Sequence, residues 1–228
     1  MEIEIWSDIA CPWCYVGKRR FEAALDGFEH RDDVRITWRS FELDPSAPSE
    51  REGERAAHLA EKYGMSIERA REMEKQMVET AAGEGLDFRF DIQRSGSTFD
   101  GHRVIHLATE HGLGDAMKER LLRAYFTEGE LMGDHETLIR LAGEVGLDPD
   151  ETRQMLASDR YADAVRDDER TASSFGISAV PTFVIDRTIG ASGAHPPDAL
   201  LQLLNEGWSR RAREPVIAGG EACGPDGC

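Results

Sequence analysis

Glu2-Ile3-Glu4-Ile5-Trp6-Ser7-Asp8-Ile9-Ala10-Cys11-Pro12-Trp13-Cys14-Tyr15-Val16-Gly17 is the stretch that decides the fold. Residues 2–6 alternate acidic and apolar side chains and close on Trp6, the period of a strand. Ser7 to Ala10 reads as the exit loop. Pro12 suits the first turn of a helix, where its missing N–H is not needed. Tyr15, Val16, Phe21, Ala24, Leu25 and Phe28 then recur at helical spacing to about residue 29. A Cys-x-x-Cys pair therefore stands where a strand hands over to a helix.

That setting gives the pair a physical reason to be reactive. The free N–H groups and the positive end of the helix macrodipole stabilise a thiolate at Cys11. Thiols so placed ionise in the range ~3.5–7.5 instead of near ~8.5, and each pKa unit is about 1.4 kcal/mol in favour of the charged form. Cys14 follows almost one turn later, its sulfur facing Cys11 and sheltered beneath it. Cys11 is the expected nucleophile and Cys14 the resolving thiol. Two other readings stay open: half of a zinc site, which needs four ligands, and a buried inert pair. The strand-to-helix setting favours redox chemistry.

Working outward, Val34 to Trp38 alternates again and predicts a second strand over about 34–42, parallel to the first through a right-handed crossover. From about 50 to 175 the segments have helical period: Glu54 to Tyr63, Ile67 to Ala82, Thr98 to Glu110, Gly114 to Phe126, His135 to Val145, Pro149 to Ala157 and Arg160 to Phe175. Leu86 to Ser97 reads as an extended loop. Strand character returns at Pro181 to Ile185, with an antiparallel partner over 188–191. Pro196-Pro197 opens a last helix carrying Leu200, Leu201, Leu203, Leu204 and Trp208. The expected fold is α/β: a mixed four-stranded sheet of the thioredoxin-like kind, with a large all-helical insertion. The expected divisions are a thioredoxin-like domain over 1–45 and 176–209, a helical insertion domain over 46–175, and a flexible C-terminal tail over 210–228.

Ala179-Val180-Pro181-Thr182-Phe183 is the second signal. A proline in a central strand deletes a ladder hydrogen bond, so Pro181 belongs at the strand start. X-Pro bonds are cis in only about 5–6% of cases, so the residues alone leave the isomer open. A cis bond would leave the Val180 backbone free to pair with an extended substrate peptide.

Composition narrows the partners. The 228 residues carry a net charge of −17, which phosphate backbones and anionic membranes repel. The N-terminus shows no basic region followed by an apolar run, and no stretch approaches the ~18 apolar residues of a membrane span. Nucleic acid and membrane are not expected partners, and the expected location is the cytoplasm. The four cysteines fall into two tight pairs, Cys11/Cys14 and Cys223/Cys228. Gly224-Pro225-Asp226-Gly227 suits a type I turn, which brings its flanking cysteines within disulfide range. Cys223 and Cys228 are read as a second redox pair, with an idle surface disulfide or half a metal site as the other readings. His102 and His106 stand four apart with no third ligand at convincing spacing, so they read as surface or groove-lining histidines and no metal is expected. Met65, Met73 and Met77, like Trp6, Trp38 and Trp208, read as core or core-edge residues.

Taken together, Ser7-Asp8 through Cys11-Pro12-Trp13-Cys14-Tyr15-Val16-Gly17, Trp38-Arg39-Ser40-Phe41-Glu42-Leu43, Thr98-Phe99-Asp100-Gly101-His102-Arg103, Ala124-Tyr125-Phe126 and Val180-Pro181-Thr182 resemble the DsbA-family oxidoreductases. The closest branch is the cytoplasmic FrnE type associated with polyketide biosynthesis, and the likeness extends to about residue 209. The resemblance implies thiol–disulfide exchange, a cis bond before Pro181, and substrate contacts from Trp13, Val180 and Arg103. It implies no bound cofactor, with glutathione as a redox partner and a disulfide-containing protein or small-molecule thiol as substrate. Periplasmic DsbA proteins carry His where Trp13 stands, so their extreme oxidising power does not transfer. A pair with a DsbA-like or isomerase-like potential (about −120 or −180 mV) is mostly reduced at the cytosolic glutathione poise of about −220 to −320 mV, which favours isomerase or reductase activity. The same superfamily includes glutathione-dependent kappa-class transferases and chromene-carboxylate isomerases. These usually have Ser at the Cys11 position and no counterpart of Cys14, and their activity is the alternative expectation. The sequence leaves the oligomeric state open.

Overall fold

The computed structural model describes residues 1–211. Strand β1 (Glu2–Ser7) leads into helix α1 (Pro12–Asp26), and a 3-10 turn at Arg31–Asp33 returns the chain to β2 (Arg35–Ser40). A helical block follows: α2 (Arg55–Tyr63), α3 (Ile67–Gly83), α4 (Phe99–Glu110), α5 (Gly114–Arg123), α6 (His135–Glu144), α7 (Pro149–Leu156) and α8 (Ala162–Ser174). Strands β3 (Thr182–Ile185) and β4 (Ile189–Ser192) and helix α9 (Pro197–Arg211) close the described chain.

The sheet order is β2-β1-β3-β4. β1 runs parallel to β2 with Ile5 opposite Trp38, and antiparallel to β3 with Ile5 opposite Phe183. β3 pairs antiparallel with β4. This is the expected mixed four-stranded sheet of the thioredoxin-like kind. β1 is buried on both faces: Ile3 and Ile5 on one, Glu4 and Trp6 on the other. That is why a central strand can alternate charge and hydrocarbon. The Glu4 carboxylate is held at one edge by Arg39 and at the other by Arg187, so its burial leaves no unpaired charge.

One apolar core runs from Ile3, Ile5, Phe183 and Ile185 of the sheet into Met117, Leu121, Leu122, Leu138 and Leu141 of the helical block. The block therefore shares the sheet's core. Helix starts follow local capping: the Ser66, Asp134 and Asp148 side chains accept from Arg69, Thr137 and Asp150 amides at the heads of α3, α6 and α7.

Three elements depart from the periodicity reading. β2 ends at Ser40 and not near residue 42, because the chain turns so that the Leu43 amide reaches Asp8. The helix expected from Gly114 to Phe126 stays α-helical only to Arg123 and widens into a π-helical turn over Ala124–Glu128. α8 begins at Ala162, because Tyr161 stands in the left-handed region (φ 65°) and breaks the helical run before it.

Candidate active site

Cys11 is the N-cap of α1, extended at φ −91° and ψ 112°, and Pro12 fills the first helical position. No acidic side chain stands in that first turn, so nothing there cancels the positive end of the helix. Cys11 is 5% exposed and Cys14 1% exposed, and both are free thiols. Cys11 is the sulfur nearer the surface. It donates a hydrogen bond to the Val180 carbonyl at 3.6 Å. Trp13, between them, is 46% exposed. Trp6, Ala172, Val180 and Val184, flanked by Phe41 and Ile177, form the apolar surround of the two sulfurs.

The Val180–Pro181 peptide bond is cis. The Pro181 carbonyl accepts from the Gly193 amide at 2.7 Å and the Thr182 hydroxyl donates to the Ala179 carbonyl at 2.7 Å. These bonds fix the loop on either side of Val180. Gly17 lets α1 approach it, since a Cβ there would stand 2.7 Å from Pro181 Cγ. The last residue of the Cys-Pro-Trp-Cys-Tyr-Val-Gly run is thus the contact that seats the proline loop on α1.

Beneath the sulfurs lies a charged layer. Asp8 is buried and accepts from the Ala10 amide (3.2 Å), the Leu43 amide (2.7 Å) and the Thr98 hydroxyl (2.9 Å), with His102 Nε2 at 3.4 Å. Burial alone would raise its carboxyl; the His102, Leu43 and Thr98 hydrogen bonds outweigh it and hold Asp8 below the usual aspartate range. Burial lowers His102 against the pull of Asp8. Lys118, on α5, is 1% exposed and donates to the Ser7 carbonyl at 3.1 Å. Burial brings its ammonium down to about 8, against the opposing pull of Cys14 and Asp8.

The two thiols titrate as a pair. The Cys14 hydrogen bond and burial push Cys11 well above the usual thiol range. Burial also opposes ionisation of Cys14, but the Cys11 hydrogen bond and the Lys118 charge overcome it, so Cys14 lies below its ordinary value. The pair thus loses its first proton early and its second late. Of the two buried sulfurs, Cys11 is the less covered.

The structure brings Cys11, Cys14, Trp13, Val180 and Pro181 together, and it corrects the expectation for Arg103. Arg103 does not face the groove. It is buried, and its guanidinium donates to the Arg160 carbonyl (3.0 Å), the Met155 carbonyl (2.8 Å), the Ser158 carbonyl and the Asp100 carboxylate (2.6 Å). Two of its nitrogens tie α4 to the α7–α8 connection, and the third pairs with Asp100 on α4 itself. His102, read as a surface or groove-lining residue, is buried against Asp8, and His106 meets the Ser40 hydroxyl at 3.1 Å and Asp168 at 3.2 Å. Cys223 and Cys228 lie outside the described residues.

Sequence reasoning passed over Lys118 and Glu42. Lys118 stands three and four residues before Leu121 and Leu122, on the apolar stripe of α5, and a lysine in that line was the available signal. Glu42 had none. It is buried, paired through one oxygen with Arg166 at 2.6 Å, and its other oxygen has no partner among the described residues. Burial, helped by Glu169 and Asp8, pushes its carboxyl up to about 7 against the pull of Arg166.

The chain matches the model of the DSBA-like thioredoxin domain family over residues 2–205. It is similar to a probable DsbA oxidoreductase from Streptomyces coelicolor, 47% identical, with a TM-score of 0.90 over 100% of this chain and 98% of that one. It is 32% identical to the Bacillus subtilis (strain 168) protein YwbO over 85% of this chain and 92% of the relative. The cytosolic disulfide reductase DsbM of Pseudomonas aeruginosa, solved with GSH, shares the fold at 18% identity, with a TM-score of 0.65 over 92% of this chain and 100% of that one. The Cys-x-x-Cys helix, the proline loop and a family match over nearly the whole described chain meet in one conclusion: this protein belongs to the DSBA-like thioredoxin domain family.

Proposed function

We propose that the chain is a thiol–disulfide oxidoreductase of the FrnE-type branch, acting as a reductase or isomerase in the cytoplasm. The observation that carries this reading is the placement of the Cys11 sulfur at the N-terminus of α1, 3.6 Å from the Val180 carbonyl and with Cys14 directly behind it. A substrate disulfide is attacked by Cys11, which passes its proton to the Cys14 thiolate as it bonds to one sulfur and expels the other as a thiolate. Cys14 then attacks the Cys11 sulfur, releases the second substrate thiol and closes the Cys11–Cys14 disulfide. Two thiols, supplied by glutathione, restore the pair and leave as oxidised glutathione.

Val180 offers its backbone to an extended substrate segment, and Trp13, exposed between the two cysteines of the sequence, offers its indole to the same substrate. The substrate is a protein or small-molecule disulfide. Support for the branch comes from the Ser40–Leu43 and Thr98–His102 segments, which supply the donors around Asp8 and are the motifs on which the resemblance rests. Cys223 and Cys228 act as a second pair that exchanges with the first. Under limiting reductant, the Cys223→Ser/Cys228→Ser variant is expected to regenerate Cys11–Cys14 more slowly, and an unaltered rate removes the tail from the cycle.

The function is tested by glutathione-coupled reduction of a model protein disulfide such as insulin. Wild type is expected to turn over and Cys11→Ser to lose essentially all activity. Retention of most activity in Cys11→Ser would overturn the assignment.

A further inference from the structure

Building on that reading, we propose that Lys118 is a positioning residue that holds the negative charge on Cys14 whenever the pair opens, and so sets how readily the Cys11–Cys14 disulfide is reduced. Lys118 comes from the helical insertion, not from the thioredoxin-like sheet, yet its side chain ends under the turn that carries both cysteines. It is 1% exposed, bonds the carbonyl of Ser7 at 3.1 Å, and its ammonium stands 5.6 Å from the Trp38 ring centre. The Ser7 carbonyl is the one hydrogen-bond acceptor it has among the described residues, although an ammonium can donate three times.

The ionisable groups acting on Lys118 are Cys14, Asp8 and Cys11 with favourable sign, and Lys18 and His102 without it. Lys18 is occupied elsewhere, paired with Glu22, Asp115 and Glu119. Asp8 is already surrounded by the Ala10, Leu43, Thr98 and His102 donors. An ammonium removed from water costs several kcal/mol unless an opposite charge compensates it. Asp8 acts on Lys118 without an ion pair between them, and when the sulfurs part the Cys14 thiolate adds a second favourable charge. The buried lysine therefore favours the open pair over the disulfide.

The chemistry balances around that point. A glutathione thiolate attacks Cys11 Sγ, the sulfur–sulfur bond breaks, and the electron pair leaves on Cys14, whose charge Lys118 favours. A second glutathione thiolate attacks the glutathione sulfur of the mixed disulfide, expels Cys11 and forms oxidised glutathione. Of the two protons of the two glutathione thiols, one ends on Cys11 and the other leaves to solvent, so that Cys14 remains a thiolate. Lys118 acts in the first of these steps, on the leaving thiolate.

The test uses the intact protein. Lys118 is one of four lysines in the chain, so lysine side-chain NMR with carbon-13 at Cε resolves it, and Lys118→Arg assigns the signal. The expected result is a lower titration midpoint for Lys118 in the oxidised protein than in the reduced one. Equal midpoints in both states would overturn the proposal. Independently, Lys118→Met should shift the equilibrium with glutathione about tenfold toward the disulfide, a fall of about 30 mV in potential, while Lys118→Arg stays within about twofold of wild type. A Lys118→Met equilibrium within twofold of wild type would also overturn it. Neither readout uses turnover, so failure here and failure of Cys11 as nucleophile are seen separately.

Discussion

Pro181 occupies the space that any side chain at position 17 would need: its Cγ lies 2.7 Å from where a Cβ on Gly17 would stand. The second turn of the redox helix is thereby pressed onto the proline loop, and the Val180 carbonyl is carried to the Cys11 sulfur. Gly17→Ala forces one of the two to move, at the ~1–3 kcal/mol of an overpacked core site. For a chain of this length that is a fall in Tm of about 2–12 °C. Insulin reduction should drop by about tenfold, because the loop that seats the substrate is displaced. Calorimetry and turnover check this, and a variant with wild-type values in both would mean that the contact does not position the loop.

Arg103 gives a contrasting expectation. Its guanidinium serves the Met155, Ser158 and Arg160 carbonyls and Asp100, so its loss strands buried acceptors and a carboxylate. Arg103→Ala should cost about 3–5 kcal/mol, or roughly 6–20 °C in Tm. The KM of the folded fraction for a disulfide substrate should remain within about twofold of wild type. An unchanged Tm with a raised KM would return Arg103 to the substrate groove.

Glu42 links stability to pH. Its carboxyl titrates near pH 7 in the folded protein against an ordinary value of 4.5. Between those values the folded state holds a proton that the unfolded chain has released, so wild-type stability declines as pH rises through this window. Glu42→Gln has no such proton to lose. Its Tm relative to wild type should therefore rise from pH 4.5 to pH 7 and level off above. Thermal melts across pH 4–8 measure this, and a constant difference would show that Glu42 is charged throughout.

Much of this architecture was readable because it is local. Alternation in residues 2–6, Pro12 after Cys11, and Pro181 before a β-branched and aromatic run each mark an element boundary within a few residues, and the strands and helices fall where those marks stand. The covered side of the site was not local. Asp8 gains its meaning from Leu43, Thr98 and His102, up to 94 residues away, and Lys118 from a carbonyl 111 residues away. Arg103 was misplaced for the same reason: a motif fixes which residue stands on α4, while the partners of its side chain come from the α7–α8 connection. The π-helical turn at Ala124–Glu128 has no periodic signature, since Tyr125 and Phe126 are apolar in either helix type.

The central claim is that Cys11 attacks and Cys14 resolves. It is tested most directly by incubating Cys14→Ser with a disulfide substrate and locating the adduct by peptide mass spectrometry after acid quenching. The expected result is a stable mixed disulfide on Cys11, with none forming in Cys11→Ser under the same conditions. A mixed disulfide that forms on Cys14 in Cys11→Ser while Cys14→Ser stays unmodified would contradict it.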